Sequence, residues 1–123
     1  MRKTAPRLPA QVMVCSHALD WVYLVRVEST VYKIGMCANY AGRSSQLRTT
    51  YGKAELIYRF RAANGKLAEK KLHARFANHQ YLHDRHRELF VLTLRDIEQI
   101  RSIIYFDGSK FHTEGGIWSH RVR

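Results

Sequence analysis

The chain has few cysteines, few prolines and no long apolar run, and each shortage excludes a class of protein. Cys15 and Cys37 are its two cysteines; they form neither a disulfide framework nor a CxxC pair, so we expect reduced thiols in the cytoplasm. Pro6 and Pro9 interrupt the stretch that would have to form the core of a signal peptide. No apolar segment approaches the length of a membrane span.

Acidic side chains are also scarce. The sequence has 10 Asp and Glu against 21 Lys and Arg, a formal net charge of +11. This excess favours nucleic acid as the partner, because Lys and Arg displace the counterions condensed on it. A solvated basic surface without a partner is the simpler alternative. An anionic membrane is a weaker one, since the chain has no long basic amphipathic helix and no lipidation motif.

The length and the apolar content indicate one compact domain. The chain has 123 residues, of which 46% are apolar. We divide it into a basic N-terminal arm over 1–20, a domain over 21–106 and a basic C-terminal tail over 107–123. We expect the tail to be mobile.

Hydrophobic patterning predicts the strands. Residues 21–27 (WVYLVRV) and 31–36 (VYKIGM) are rich in β-branched and aromatic side chains, and their short connection predicts an antiparallel hairpin. Residues 55–61 (ELIYRFR) alternate apolar and polar side chains and predict a third strand. Residues 89–92 predict a short closing strand.

Three helices are predicted between and after these strands. Asn39 is a plausible cap of a short basic helix, and residues 66–78 (KLAEKKLHARFAN) have a helical period without proline. Thr93 caps a last amphipathic helix that ends at Asp107-Gly108, with one apolar face formed by Leu94, Ile97, Ile100 and Ile104. The predicted fold class is α+β: a small antiparallel sheet of three or four strands flanked by helices.

Several motifs in a fixed order resemble the GIY-YIG nuclease superfamily. Trp21-Val22-Tyr23 and Lys33-Ile34-Gly35 stand where the two signature triplets belong, and Arg43 follows Gly35 by eight residues. The spellings YKIG (32–35) and EKKLHARF (69–76) are similar to the short, phage-associated branch. The resemblance covers about residues 21–92, and it is the ordered set that is specific, not any one motif.

The resemblance implies catalytic roles for five residues. Tyr23 would be the general base, and Lys33, which we expect to face it across the hairpin, would keep it ready to accept a proton. Arg43 would hold two phosphoryl oxygens. Glu69 would bind Mg²⁺ or Mn²⁺, and His73, one helical turn later, would contribute in place of a family histidine that this chain lacks.

The resemblance therefore implies a metal-dependent endonuclease that hydrolyses phosphodiester bonds, with double-stranded DNA as the expected substrate. A phage-encoded enzyme of this kind would act in the host cytoplasm. The residues predicted to contact the nucleic acid are Arg48, Lys70, Arg75, Arg85 and Arg87. The alternative is a non-catalytic nucleic-acid-binding module that keeps the fold.

Departures from the family pattern keep that alternative open. Lys33 replaces the second tyrosine, Trp21 replaces a glycine, and Met36 stands where many relatives have a basic or small polar residue. Taken alone, Tyr23 could be a core aromatic, and Glu69 a surface charge. A zinc site is a further alternative, formed by His73, His79, His83 and His86, but a basic loop that touches phosphate explains these histidines better.

Overall fold

The computed structural model describes residues 19–81 and 88–114, and it confirms the predicted α+β class. The strands are β1 (Asp20–Glu28), β2 (Val31–Cys37), β3 (Glu55–Ala62), β4 (Leu89–Val91), β5 (Ile103–Phe106) and β6 (Phe111–Thr113). The helices are α1 (Tyr40–Tyr51), α2 (Gly65–Arg75) and α3 (Leu94–Arg101), with a 3₁₀ turn at Ala77–His79.

The predicted hairpin forms between β1 and β2. Ser29 and Thr30 alone connect the two strands, which pair antiparallel with Tyr23 opposite Gly35 and Val25 opposite Lys33. Because side chains alternate along a strand, these two opposed pairs lie on the same face of the sheet. The register of this hairpin sets the geometry of the candidate site.

The sheet is larger than the sequence predicts, and it is mixed. Six strands lie in the order β4-β2-β1-β3-β5-β6. β4 closes one edge against the first half of β2 and confirms the predicted closing strand. At the other side, β3 and β5 pair parallel, so the prediction of a wholly antiparallel sheet of three or four strands is wrong.

The extra strands come from the stretch assigned to the last helix and to the tail. Thr93 caps α3 in a reciprocal pair of bonds with Asp96, as predicted, but the helix ends at Arg101. Ile104 therefore lies in β5 and not on a helix face, and Phe111–Thr113 form β6. The run Ile103–Phe106 is apolar and β-branched at its start, which suits a buried strand as well as a helix.

Two apolar layers cover the two faces of the sheet. On one face, α2 and α3 pack over the core; this cluster includes Val22, Leu24, Ile34, Phe60, Leu72, Ile97 and Ile100. On the other face, α1 contributes Leu47 to a smaller cluster that contains Tyr23 and Val25. Among the described helices, none is long and apolar enough to cross a membrane.

Candidate active site

Tyr23 lies buried on the α1 face, directly over Gly35. A Cβ placed on Gly35 would stand 2.4 Å from the Tyr23 hydroxyl oxygen and 2.6 Å from Cζ. The missing side chain of Gly35 is therefore the space that the phenol occupies. This explains in physical terms why glycine ends the second triplet: β2 must pass under the tyrosine of β1.

Arg43 brings a guanidinium to that phenol. Asn39 follows β2 and caps α1 by accepting a hydrogen bond from the backbone N–H of Ala41 at 3.0 Å. This cap fixes the first turn of α1 against the end of β2, so that Arg43 points back toward the sheet. Its Nη1 donates to the Tyr23 hydroxyl oxygen at 3.1 Å and to the Met36 carbonyl at 3.3 Å.

The surroundings of Tyr23 favour the neutral phenol. Burial raises the pKa of Tyr23 to about 12, even though the hydrogen bond and the positive charge of Arg43 act in the opposite direction. Arg43, and not Lys33, is thus the cation at the phenol. In the protein without bound ions, Tyr23 is protonated at neutral pH.

Lys33 has a different partner from the predicted one. It lies opposite Val25, diagonal to Tyr23, and its ammonium group forms an ion pair with Glu88. Lys33 is buried, whereas the Glu88 side chain is 38% exposed. The expectation that Lys33 faces Tyr23 across the hairpin is corrected: β4 pairs with β2 at Lys33, so the residue before β4 reaches the ammonium first.

Glu69 and His73 lie on α2, which packs on the face of the sheet opposite to that of α1 and Tyr23. The Nε2–H of His73 donates to the Ile34 carbonyl at 2.8 Å, because a carbonyl can only accept, and its ring packs on Phe90. Burial raises the pKa of Glu69; the nearby charge of His73 lowers it and that of Glu88 raises it. The hydrogen bond of His73 thus holds α2 against β2. Glu88 lies close enough to Glu69 for its charge to act on the Glu69 carboxylate.

An open pocket lies beside Arg43, Lys33 and Glu88. Its volume is about 250 Å³, and its lining consists of Lys33, Arg43, Gln46, Leu47, Thr50, Tyr51 and Glu88. The pocket brings together one guanidinium, one ammonium and one carboxylate, and its Arg43 also donates to the buried phenol of Tyr23. Such a set can bind an anionic ester and can hold a water molecule against it.

Comparison with known proteins identifies the family. The T5orf172 domain family matches residues 20–105, which contain all the described site residues named above. The chain belongs to the T5orf172 domain family. This family is phage-associated and related to GIY-YIG-like nuclease folds, which indicates a nuclease-like or nucleic-acid-binding domain. No curated protein and no solved structure matches the chain.

The predicted nucleic-acid contacts of this T5orf172 domain have mixed positions. Arg48 and Lys70 are exposed, as a contact to phosphate requires; Arg48 donates to Ser44 at 2.8 Å. Arg75 is half-buried and donates to Gln99 of α3, which leaves it less free to reach a ligand.

Other predicted residues lie outside the described part of the chain or have a structural role. Arg85, Arg87, His83 and His86 lie outside the described residues. His79 pairs with Asp96 at 3.3 Å. Within the described ranges 19–81 and 88–114, no group of three His, Cys, Asp or Glu side chains could hold a metal ion, and this includes the proposed zinc histidines that the structure covers.

Sequence reasoning gave no role to two residues at this site. Glu88 pairs with Lys33 and acts electrostatically on Tyr23, Arg43 and Glu69. The signal was its position directly before the closing strand, next to the residue that pairs with Lys33. Tyr40, the first residue of α1, packs its ring 5.5 Å from that of Tyr23, and no sequence pattern marks that contact.

Proposed function

We propose that this T5orf172 domain is a metal-dependent endonuclease of the GIY-YIG type that hydrolyses phosphodiester bonds, with double-stranded DNA as its substrate. The observation that carries the proposal is the hydrogen bond from Arg43 to the buried hydroxyl of Tyr23, over Gly35 and at the wall of an open, basic pocket. A binding surface alone needs charge at the surface; a guanidinium fixed on a buried phenol is typical of an arranged reaction site.

Arg43 would bind the phosphate. A guanidinium has five N–H donors, and among the described residues only Nη1 of Arg43 is engaged. The remaining donors form a planar fork that matches two phosphoryl oxygens. Because Tyr23 and Met36 fix the orientation of the guanidinium, little side-chain freedom remains to be lost when a phosphate binds.

Tyr23 would orient the attacking water. Its oxygen accepts a hydrogen bond from Arg43, so its own O–H group can be donated to water or to a phosphoryl oxygen. A general-base role requires more, since a phenol whose pKa is about 12 rarely accepts a proton at neutral pH. Additional positive charge beside the phenol would have to lower that pKa before Tyr23 could act as the base.

Glu69 would hold the divalent ion. Its carboxylate is half-buried and its pKa is raised, so a cation beside it would relieve the cost of its charge. Glu88 is a second carboxylate, and its charge raises the pKa of Glu69. One or two carboxylates suit Mg²⁺, whose other positions go to water and substrate phosphate. When bound, Mg²⁺ or Mn²⁺ would neutralise charge on the phosphate and lower the pKa of the attacking water.

A non-catalytic nucleic-acid-binding module is the second candidate. One observation favours it: the raised pKa of Tyr23, which keeps the phenol from accepting a proton at neutral pH. Such a module would keep Arg43 and the basic pocket for binding and would have no turnover.

Plasmid nicking separates the two functions. The purified protein is incubated with supercoiled DNA in Mg²⁺, in Mn²⁺ and in excess chelator, and binding is measured on the same preparation. A nuclease converts the plasmid only when a divalent ion is present, and Glu69→Gln abolishes cleavage while binding persists. Binding without metal-dependent cleavage by the wild-type protein would establish the non-catalytic alternative. Cleavage by the Gln variant at the wild-type rate would remove Glu69 from the site.

A further inference from the structure

Next to the candidate active site, two arginines of β3 lie over a tryptophan of β1. The guanidinium carbon of Arg59 is 4.1 Å from the centroid of the Trp21 ring, and that of Arg61 is 4.2 Å away. Arg59 lies opposite Tyr23 in the sheet and Arg61 lies opposite Trp21. These three residues, Trp21, Arg59 and Arg61, which we name the Trp21 platform, therefore belong to the same face as Tyr23 and Arg43.

The platform continues into the candidate active site through aromatic contacts. Arg59 also lies over the ring of Tyr40, 5.3 Å from its centroid. The ring of Tyr40 in turn packs 5.5 Å from that of Tyr23. A ligand that extends from Arg43 along this face would therefore meet Arg59 first and Arg61 next.

The two platform arginines have no direct ion pair in the described part of the chain, although Asp20 acts on Arg61 at longer range. Within the described ranges, Nη1 of Arg61 is buried without a hydrogen-bond partner. The carboxylate of Asp20 is engaged by the backbone N–H of Gly65 at 2.7 Å. A buried donor without an acceptor costs stability, so the described residues leave this guanidinium incompletely satisfied.

We infer that the Trp21 platform is a second phosphate-binding site, which holds the nucleic-acid backbone beside the phosphate bound by Arg43. A guanidinium stacked on an aromatic ring uses its face and keeps its N–H edge for hydrogen bonds. A phosphodiester presents oxygens that accept hydrogen bonds from this N–H edge. It also supplies a negative charge that offsets the two adjacent positive charges.

Other charges near the platform agree with this assignment. Arg43, Arg59 and Arg61 all act to lower the pKa of Cys37, although burial outweighs them and raises it. Three guanidiniums therefore act on one position on this face, which shows that they lie near one another. Burial lowers the pKa of Arg61, and the charge of Arg59 lowers it further, whereas the charge of Asp20 acts in the opposite direction. A polyanion that spans all three would remove this repulsion.

The inference rests on the proposed function, since it specifies how the same substrate is held. The test measures binding of a labelled DNA duplex in chelator, so that no cleavage occurs, over a range of salt concentrations. Arg59→Gln/Arg61→Gln is compared with Arg95→Gln/Arg101→Gln, which removes the same charge from exposed positions of α3 on the opposite face. Arg59→Lys/Arg61→Lys keeps the charge but loses the planar fork and the stacking.

The β3 glutamine pair should bind at least about 10-fold more weakly than the wild type. The plot of log K against log salt has a negative slope, and its magnitude should decrease by about 2, one for each phosphate that the two arginines no longer neutralise. The lysine pair should keep the slope but lose affinity. The α3 pair should change affinity by less than about threefold. Equal effects in the β3 and α3 glutamine pairs would overturn the inference, because only overall charge would then matter.

The outcomes separate this inference from the proposed function. If the wild type cleaves DNA and the β3 glutamine pair binds like the wild type, the proposed phosphate site at the Trp21 platform is wrong and the proposed nuclease function is supported. If the β3 glutamine pair binds more weakly but the wild type does not cleave DNA, the phosphate site is supported and the proposed nuclease function is wrong. A second measurement does not depend on whether the β3 glutamine pair folds. The chain has two tryptophans, so Trp118→Phe leaves Trp21 as the fluorophore, and its emission is measured as DNA is added. Unchanged Trp21 emission at saturating DNA would also contradict the platform.

Discussion

The hydroxyl oxygen of Tyr23 lies 2.4 Å from the point at which Gly35 would carry a Cβ atom, so that the two residues share one volume. Tyr23 is 1% exposed and is held there from above by the hydrogen bond from Arg43. The second triplet of the motif therefore acts as a steric partner of the first. Any side chain at position 35 must displace the phenol or the strand.

Gly35→Ala should destabilise the protein and reduce cleavage together. Overpacking of this kind costs about 1–3 kcal/mol, and it moves the phenol away from Arg43. Gly42→Ala is the matched control, because a Cβ there meets nothing within 4 Å on the exposed surface of α1, and it should stabilise the helix by about 0.5–1 kcal/mol. Urea unfolding and cleavage rate are measured on both variants. A Gly35→Ala protein with wild-type stability would show that the phenol is not confined.

Tyr23 should be among the last tyrosines to ionise. Its pKa rises from 10.0 to about 12 on folding because burial disfavours the phenolate. The neutral form is therefore favoured by folding; the resulting stability is fully present below pH 10 and is lost as the pH rises through about 12. Phenolate absorbance is titrated in the wild type and in Tyr23→Phe, and the difference curve isolates Tyr23. A midpoint at or below 10 would contradict the buried neutral phenol and would favour Tyr23 as a ready general base.

Glu88→Gln should destabilise the protein by about 1–2 kcal/mol, because it leaves the buried ammonium of Lys33 without its anion. The matched control is Glu55→Gln, whose partner Arg26 is 44% exposed; that pair should be worth about 0.5 kcal/mol or less. Adding Lys33→Met to the Glu88 variant should recover part of the loss. Equal effects at Glu88 and Glu55 would mean that the Lys33 pair is solvated like a surface pair.

The hairpin, the caps and the closing strand could be predicted because their signals are local. Two residues between β-branched runs determine a hairpin, and the side chains of Asn39 and Thr93 bond to backbone groups two or three positions away. The YKIG motif at 32–35 lies in β2 of this hairpin, and Arg43 lies in α1, the helix that Asn39 caps. The sequence did not predict that Arg43 contacts Tyr23, because it named Lys33 as the cation at the phenol; the structure shows the hydrogen bond from Arg43.

The errors came from contacts between residues that are distant in the sequence. Lys33 lies beside Glu88 only because β4 joins the edge of β2, and a hairpin pattern cannot reveal which strand pairs on the other side. Ile104 continues the apolar period of α3, so only its parallel neighbour β3 shows that it lies in a strand. Glu88 and the Trp21 platform were missed for the same reason.

Phe111→Ala should show that the structured domain continues past residue 106. Phe111 packs its ring 4.8 Å from that of Phe106 and edge-on to Phe60, and it is partly buried. Its loss should cost about 2 kcal/mol, less than for a fully buried phenylalanine. Leu94→Ala, at a position 80% exposed, should change the free energy of unfolding by less than about 0.5 kcal/mol. A neutral Phe111→Ala would mean that β6 adds nothing to the fold.

The single-turnover cleavage rate of Tyr23→Phe on plasmid DNA, in saturating Mg²⁺, tests the central claim most directly. The substitution keeps the ring and deletes the hydroxyl that Arg43 orients, so its rate should fall about 10²–10⁴-fold while stability changes by about 1 kcal/mol. Tyr32→Phe is the matched control: it is buried on the opposite face of the adjacent strand, and it should cut at the wild-type rate. A folded Tyr23→Phe protein that cuts as fast as Tyr32→Phe would contradict the account.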